Sequence, residues 1–133
     1  QGGMIGRQLI TEIRRTMSDV EITAVGTNTL ATASMLKAGA DSGATGENAV
    51  IVCTRSADVI IGPIGIVIAD SLLGEVTPRM AVAVGQSAAK RILIPVNHCA
   101  NFIAGVADII VGTADKSTSD LIAEAIRRVQ ENC

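Results

Sequence analysis

Aromatic side chains are nearly absent from this chain, whose 133 residues include one Phe and no Trp or Tyr. That excludes the stacking platforms on which single-stranded nucleic acids are held. A formal net charge of -2 adds no general attraction to a phosphate backbone, so a nucleic acid polymer is not an expected partner. Histidine and cysteine are scarce as well. The single His and the widely spaced Cys53, Cys99 and Cys133, with no C-x-x-C pair, provide neither metal-ligand spacing nor a disulfide frame. They fit reduced thiols in a cytoplasm. Residues 59–73, an apolar run, are too few to cross about 30 Å of hydrocarbon and contain Gly, Pro and Asp, so no membrane span is expected. No charged-then-apolar leader opens the sequence, and nothing in it indicates export.

What the chain does have is 48% hydrophobic residues and 13 glycines. A core must therefore be packed from Ile, Val, Leu, Ala and Met, which suits buried parallel strands covered by Ala-rich helices. The length fits one domain over residues 1–133. No repeat, linker or low-complexity segment divides it.

The organising stretch is Asp58 to Glu75. An apolar run, Val59 to Ile61, ends at Gly62-Pro63, and Gly65 opens a second apolar segment with helical spacing. The expectation is strand, tight turn and buried helix, with turn amides gathered at a strand end, where open α/β folds bind ligands. Upstream, Ile5, Leu9, Ile13 and Met17 mark an amphipathic helix behind a glycine cluster. A cluster of that kind normally follows a strand, so either a first strand is missing from the chain as given or that edge of the sheet is filled in some other way. Val20 to Val25 predicts a strand, and Thr27 or Asn28 caps a helix that runs to Gly39. Ala40 to Gly46 reads as a polar, flexible loop. Thr45 is the expected cap of a short helix from Glu47, preferred over a strand at Val50 to Val52. Thr77-Pro78 opens a helix to about Ser87, and Ile92 to Ile94 is a strand ended by Pro95. Short strands are expected at Phe102 to Val106 and Ile109 to Val111. A final helix, capped by Ser117 or Ser119, carries Leu121, Ile122, Ala125, Ile126 and Val129.

Together these signals predict a three-layer α/β fold with a mainly parallel sheet and helices on both faces, Rossmann-like or flavodoxin-like in strand order. The chain also resembles a family of small uncharacterised proteins, found mainly in anaerobic Gram-positive bacteria, that carries a domain of unknown function. The resemblance rests on Gly26-Thr27-Asn28, Met35 to Ala40, Gly43 to Ala49, Ile60 to Ile66, Gly74-Glu75, Thr77-Pro78 and Ile94 to Asn97. It implies a Rossmann-like α/β fold that starts with a hydrophobic strand. It implies no reaction.

The candidate ligand-binding residues are those placed at strand ends and turns: Gly2, Gly3, Gly6, Asn28, Thr29, Thr45, Glu47, Asn48, Gly62, Pro63, Gly65 and Asn97. Glycines admit a ligand to backbone amides, and neutral amide side chains orient it. Turn chemistry alone would put small and capping residues in the same places. Gly3-x-x-Gly6 matches only the second half of a G-x-G-x-x-G fingerprint, and the acidic ribose partner expected after the Val20 strand is absent. Cys99 beside His98 is a candidate thiol, and Glu75, with Glu47, a candidate acid/base carboxylate. No cofactor follows from these residues. The expected function is cytoplasmic binding of a small anionic or phosphorylated ligand, with nucleotides in the class, and enzyme activity is left open. The alternative is a protein whose work is self-assembly, into a homo-oligomer or filament, or partner binding, without catalysis. A mean hydropathy of +0.43 and a helix at Pro78 to Ser87 that is apolar all round, with Val82 and Val84, support it.

Overall fold

The first helix, α1 (Met4–Thr16), splits the apolar residues of its inner face between two neighbours. In the computed structural model, which describes residues 3–95 and 118–132, Leu9 and Ile13 join Ile94 of a strand and Ile122, Ala125 and Ile126 of the last helix. Ile10 turns instead to Ala24, Ala31 and Met35. Arg14 fastens the far end of the helix by donating to the carbonyls of Gly39 and Val20, each at 2.8 Å, and to the Asp41 carboxylate.

Strand β1 (Thr23–Gly26) leads into α2 (Thr29–Lys37), and Asn28 caps that helix by accepting from the Ala31 amide at 2.9 Å. The expected strand was Val20 to Val25, so the observed one is shorter and begins later. The expected loop after α2 is a correction: Ser42–Thr45 forms β2, parallel to β1 from Thr23↔Ser42 to Gly26↔Thr45. Backbone pairing makes this strand, joined by a Thr23–Ser42 hydroxyl contact at 3.2 Å. Next comes α3 (Glu47–Cys53), a helix as expected but without the expected cap, because Gly46 holds the N-cap position and makes no side-chain cap. The Thr45 hydroxyl is engaged with Thr32 instead, at 2.7 Å.

In β3 (Val59–Pro63) the strand runs through Gly62 and Pro63 rather than stopping before them. It pairs in parallel with β4 (Lys90–Ile94) from Val59↔Lys90 to Pro63↔Ile94. Proline tolerates a place at the end of a ladder, where no amide donor is needed from it. The buried helix expected after Gly65 does not form. Ile64–Val67 is a 3₁₀ turn, and the chain then passes through left-handed Asp70, Leu72, Leu73 and Gly74. Two hydrogen bonds within the loop override the helical spacing there. Asp70 donates its amide to the Val76 carbonyl at 2.8 Å, and the buried Ser71 hydroxyl donates to the Gly65 carbonyl.

Helix α4 (Pro78–Gln86) starts as predicted, with Thr77 as cap and Pro78 in the first turn. It buries Met80 and Ala81 with Val76, and Val84 on the same side, while Val82 is 52% exposed. Helix α5 (Thr118–Asn132) follows, with Ile122, Ala125, Ile126 and Val129 buried. Ser119 lies inside it rather than at its cap. The strands expected at Phe102 to Val106 and Ile109 to Val111, and Ser117, lie outside the described residues. The described residues thus form a mixed α/β structure of five helices and two small parallel sheets, β1-β2 and β3-β4. Helix α1 contacts both α2 and α5, and α3 packs on α4.

Candidate functional site

The C-terminal ends of the strands converge through side chains that the sequence placed far apart. After β1, the Thr27 hydroxyl donates to Glu75 Oε2 at 3.0 Å and the Asn28 amide donates to Glu75 Oε1 at 3.2 Å. Glu75 itself follows the left-handed turn that continues β3. After β2, the Gly46 amide donates to the Gly26 carbonyl at 3.0 Å. Two residues beyond Glu75, the Thr77 hydroxyl donates to Glu47 Oε2 at 2.8 Å, and Arg79 approaches Glu47 Oε1 at 3.5 Å. Each carboxylate therefore holds a threonine hydroxyl, and these bonds tie the segment after β1 to the turn before α4 and the start of α3 to the start of α4. Glu47 and Glu75 are both half-buried and are not bonded to one another.

Helix α1 begins at the same rim. Gly3 is its N-cap, in the left-handed conformation at φ 72°, and its Cα lies so close to α2 that an added Cβ would stand 2.8 Å from the Ala31 carbonyl oxygen. Only glycine combines that backbone angle with that approach. The helix has no side-chain cap and no acidic residue in its first turn. Its leading amides lack intrahelical partners, and among the described residues of its first turn no acidic side chain offsets the positive end of its dipole. Helices α2 and α4, by contrast, are capped by Asn28 and Thr77.

The sequence candidates divide accordingly. Gly3, Asn28, Thr45, Glu47 and Glu75 are brought to the rim. Gly6 is not an approach point, because a Cβ there would lie 2.4 Å from Met35 Sδ, so this glycine lets α1 pack on α2. Gly62 is a buried strand residue facing Ile66, Pro63 completes the β3 ladder, and the Gly65 carbonyl is taken by Ser71. Thr29 and Asn48 are exposed. Gly2, Asn97, His98 and Cys99 lie outside the described residues. Sequence reasoning missed Thr27 as a ligand of Glu75, Thr32 behind Thr45, and Arg79 beside Glu47. Thr77 was read as a cap and does cap, but its second bond to Glu47 left no local trace. Among the described residues no group of three His, Cys, Asp or Glu could hold a metal ion, and no helix is long and apolar enough to cross a membrane.

One family matches residues 1–133, described as a domain of unknown function, DUF3842. The chain belongs to it. No curated protein and no solved structure matches the chain significantly.

Proposed function

We propose that this member of the DUF3842 family binds a small phosphorylated or otherwise anionic ligand, with nucleotides in the class, at the rim where β1, β2 and β3 end. The uncapped N-terminus of α1 is the observation that carries the reading. It offers backbone amides and the positive end of a dipole to an anionic group. Glu75 complements it. Half-buried and held by two neutral donors, its carboxylate keeps lone pairs for ligand hydroxyls at the end of β1, where sequence inspection found no acid. An anion on α1 and hydroxyls on Glu75 is the division of labour that a sugar phosphate or nucleotide needs. The same reading takes the two parallel pairs as parts of one three-layer, Rossmann-like arrangement. It is supported by the grouping of α2, α1 and α5 on one hand and of α3 and α4 on the other.

Thermal shift against inorganic phosphate, nucleoside monophosphates, dinucleotides and sugar phosphates tests it. A ligand at a hundred times its Kd should add about 2.7 kcal/mol of stability. Absence of stabilisation by every one of these probes at millimolar concentration overturns the proposal. Self-assembly through α4 retains one side chain in its favour, the exposed Val82, because Val84, the other residue expected to face a neighbour, is buried.

A further inference from the structure

On the layered arrangement proposed above, the two parallel pairs turn free edges towards each other. The Gly26 carbonyl accepts from the Gly46 amide and the Ile22 carbonyl from those of Asp41 and Ser42, so every second residue from Ile22 to Gly26 directs its backbone to β2. Thr23 and Val25 direct theirs to the opposite edge. Ahead of β3 the Asp58 carbonyl accepts from the Lys90 amide at 3.1 Å, which puts the backbone of Ile60 and Gly62 towards β4 and that of Val59, Ile61 and Pro63 away from it. Among the described residues no strand pairs with either of these edges. Crossover handedness decides where the edges look. The connection from β1 to β2 runs through α2, in the layer of α1 and α5, and that from β3 to β4 through α4, in the layer of α3. Right-handed crossovers on opposite faces carry the chain outward in opposite directions, so β2 and β4 lie outermost and the free edges of β1 and β3 lie inside. Helix α1 lies over them both. Its Ile10 shares a cluster with Ala24 of β1, and the helix also contacts β3. A helix about 10 Å across covers two strand spacings of about 4.8 Å, which is room for one more strand. Val59, Ile60 and Ile61 are apolar yet only half-buried, as they would not be with a neighbour on each side.

We propose that an apolar strand lies between β1 and β3, parallel to both and matched to the five residues of β3, and that it is the stretch of chain leading into Gly3 at the start of α1. The crossover rule selects this occupant. In the layer of α1, the chain moves from β1 outward to β2 through α2; a strand that enters α1 and returns as β1 makes the same right-handed unit only from the side of β1 away from β2. Helices cover that position on both faces, so its residues are Val- and Ile-like throughout rather than alternating with polar ones. The strand is central, not an edge. It delivers the chain to Gly3 between the ends of β1 and β3, where the strand order reverses, and the anion subsite at α1 is complete only with it. The inference rests on the layered part of the proposed reading and not on its ligand.

Amide hydrogen exchange followed by NMR tests it residue by residue. In the chain as it stands, the amides of Thr23, Val25, Val59 and Ile61 should exchange about tenfold or more faster than those of Ala24, Gly26, Ile60 and Gly62. Joining Lys-Val-Ile-Val-Ile-Val ahead of Gln1 should slow the first four to the level of the second four, raise Tm and leave a monomer in light scattering. An extension of equal length made of Gly and Ser should do none of this. The proposal is overturned if the four amides are already slow in the monomeric chain without the extension, if the apolar extension leaves them fast, or if the Gly-Ser extension slows them as well. It is equally overturned if they are slow because the chain dimerises, since a second copy then supplies the strand. No ligand enters these measurements. A phosphate screen that fails on the extended chain with its four amides slowed would overturn the ligand reading alone.

Discussion

Removing the Glu75 carboxylate should loosen the rim by an amount that the geometry sets. Two donors point at it, the Thr27 hydroxyl at 3.0 Å and the Asn28 amide at 3.2 Å. A hydrogen bond to a charged group contributes about 1.5–3 kcal/mol when well buried. Both bonds are long and part-exposed here, and solvent discounts them. Glu75→Ala should therefore cost about 1–3 kcal/mol in all. For a chain of this size that is a fall of roughly 4–12 °C in Tm.

Glu75→Gln separates charge from geometry. Asn28 cannot turn its amide over, because its Oδ1 caps α2 at the Ala31 amide. The new amide must then present its oxygen to Asn28 and its NH₂ to Thr27, whose hydroxyl can rotate to accept. Both contacts survive as neutral ones, and the cost should be only about 0.5–1 kcal/mol. Asn28→Ala loses the cap as well, adding about 1 kcal/mol, and its coupling to Glu75→Ala should be about 0.5–1.5 kcal/mol. Urea unfolding followed by circular dichroism measures the parent chain, the three single variants and the Asn28→Ala/Glu75→Ala double variant. Equal losses for the Ala and Gln variants would show that the amide does not keep the two contacts, and a change below about 0.3 kcal/mol for both would show that the carboxylate does not brace this segment.

Two further outcomes follow from burial and charge. Val84→Glu puts an unpaired charge at a buried position of α4, costing about 3–5 kcal/mol or more, and should unfold the chain. Val82→Glu on the exposed face should shift stability by no more than about 0.5 kcal/mol, and circular dichroism at raised temperature distinguishes the two; a folded Val84→Glu variant would contradict the assigned helix face. The Asp41 carboxyl is held below the usual carboxylate range, first by the Ile22 amide and then by Arg14. A lowered folded value means its stabilisation is fully present above the ordinary value of about 3.9 and fades as pH falls through the lower, folded one. The deficit of Asp41→Asn against the parent chain should thus be constant from about pH 5 to pH 8 and shrink below about pH 4; urea midpoints showing the same deficit at both ends would refute this.

The elements that could be read from the sequence are those whose information is local. Asn28 and Thr77-Pro78 are capping signals confined to one turn, and the stripe through Ile122, Ala125, Ile126 and Val129 needs only its own spacing to be recognised. Strand β2 has no such record. Ser42-Gly43-Ala44-Thr45 carries neither alternation nor β-branched bulk, and it is a strand because β1 offers a backbone ladder beside it. Gly43 belongs there because a Cβ would meet Leu36 and Thr32 side chains at 2.9–3.0 Å, a constraint imposed by α2. The apolar spacing after Gly65 points the opposite way. It suits a helix, but Ser71 and Asp70 tie the segment into a 3₁₀ turn and a left-handed loop, with Leu73 88% exposed at its tip. Loop bonds between residues six positions apart, which no helical period records, outweigh there a propensity of a few tenths of a kcal/mol per residue.

At the rim the same distinction sorts the glycines and the carboxylates. A glycine in sequence says that a side chain is unwelcome, but not whether a ligand or a neighbouring helix excludes it. Met35 decides the matter for Gly6 and Ile66 for Gly62, whereas Gly3 owes its identity to a left-handed cap beside Ala31 and leaves the amides of α1 uncapped. Glu75 shows the reverse. Its residue type suggested acid/base chemistry or a solvated helix end, yet its two donors come from Thr27 and Asn28, nearly fifty positions away in the chain. A carboxylate so held is fixed in orientation before any ligand arrives. Under the proposed reading, that fixed orientation spares the group a loss of conformational freedom on binding.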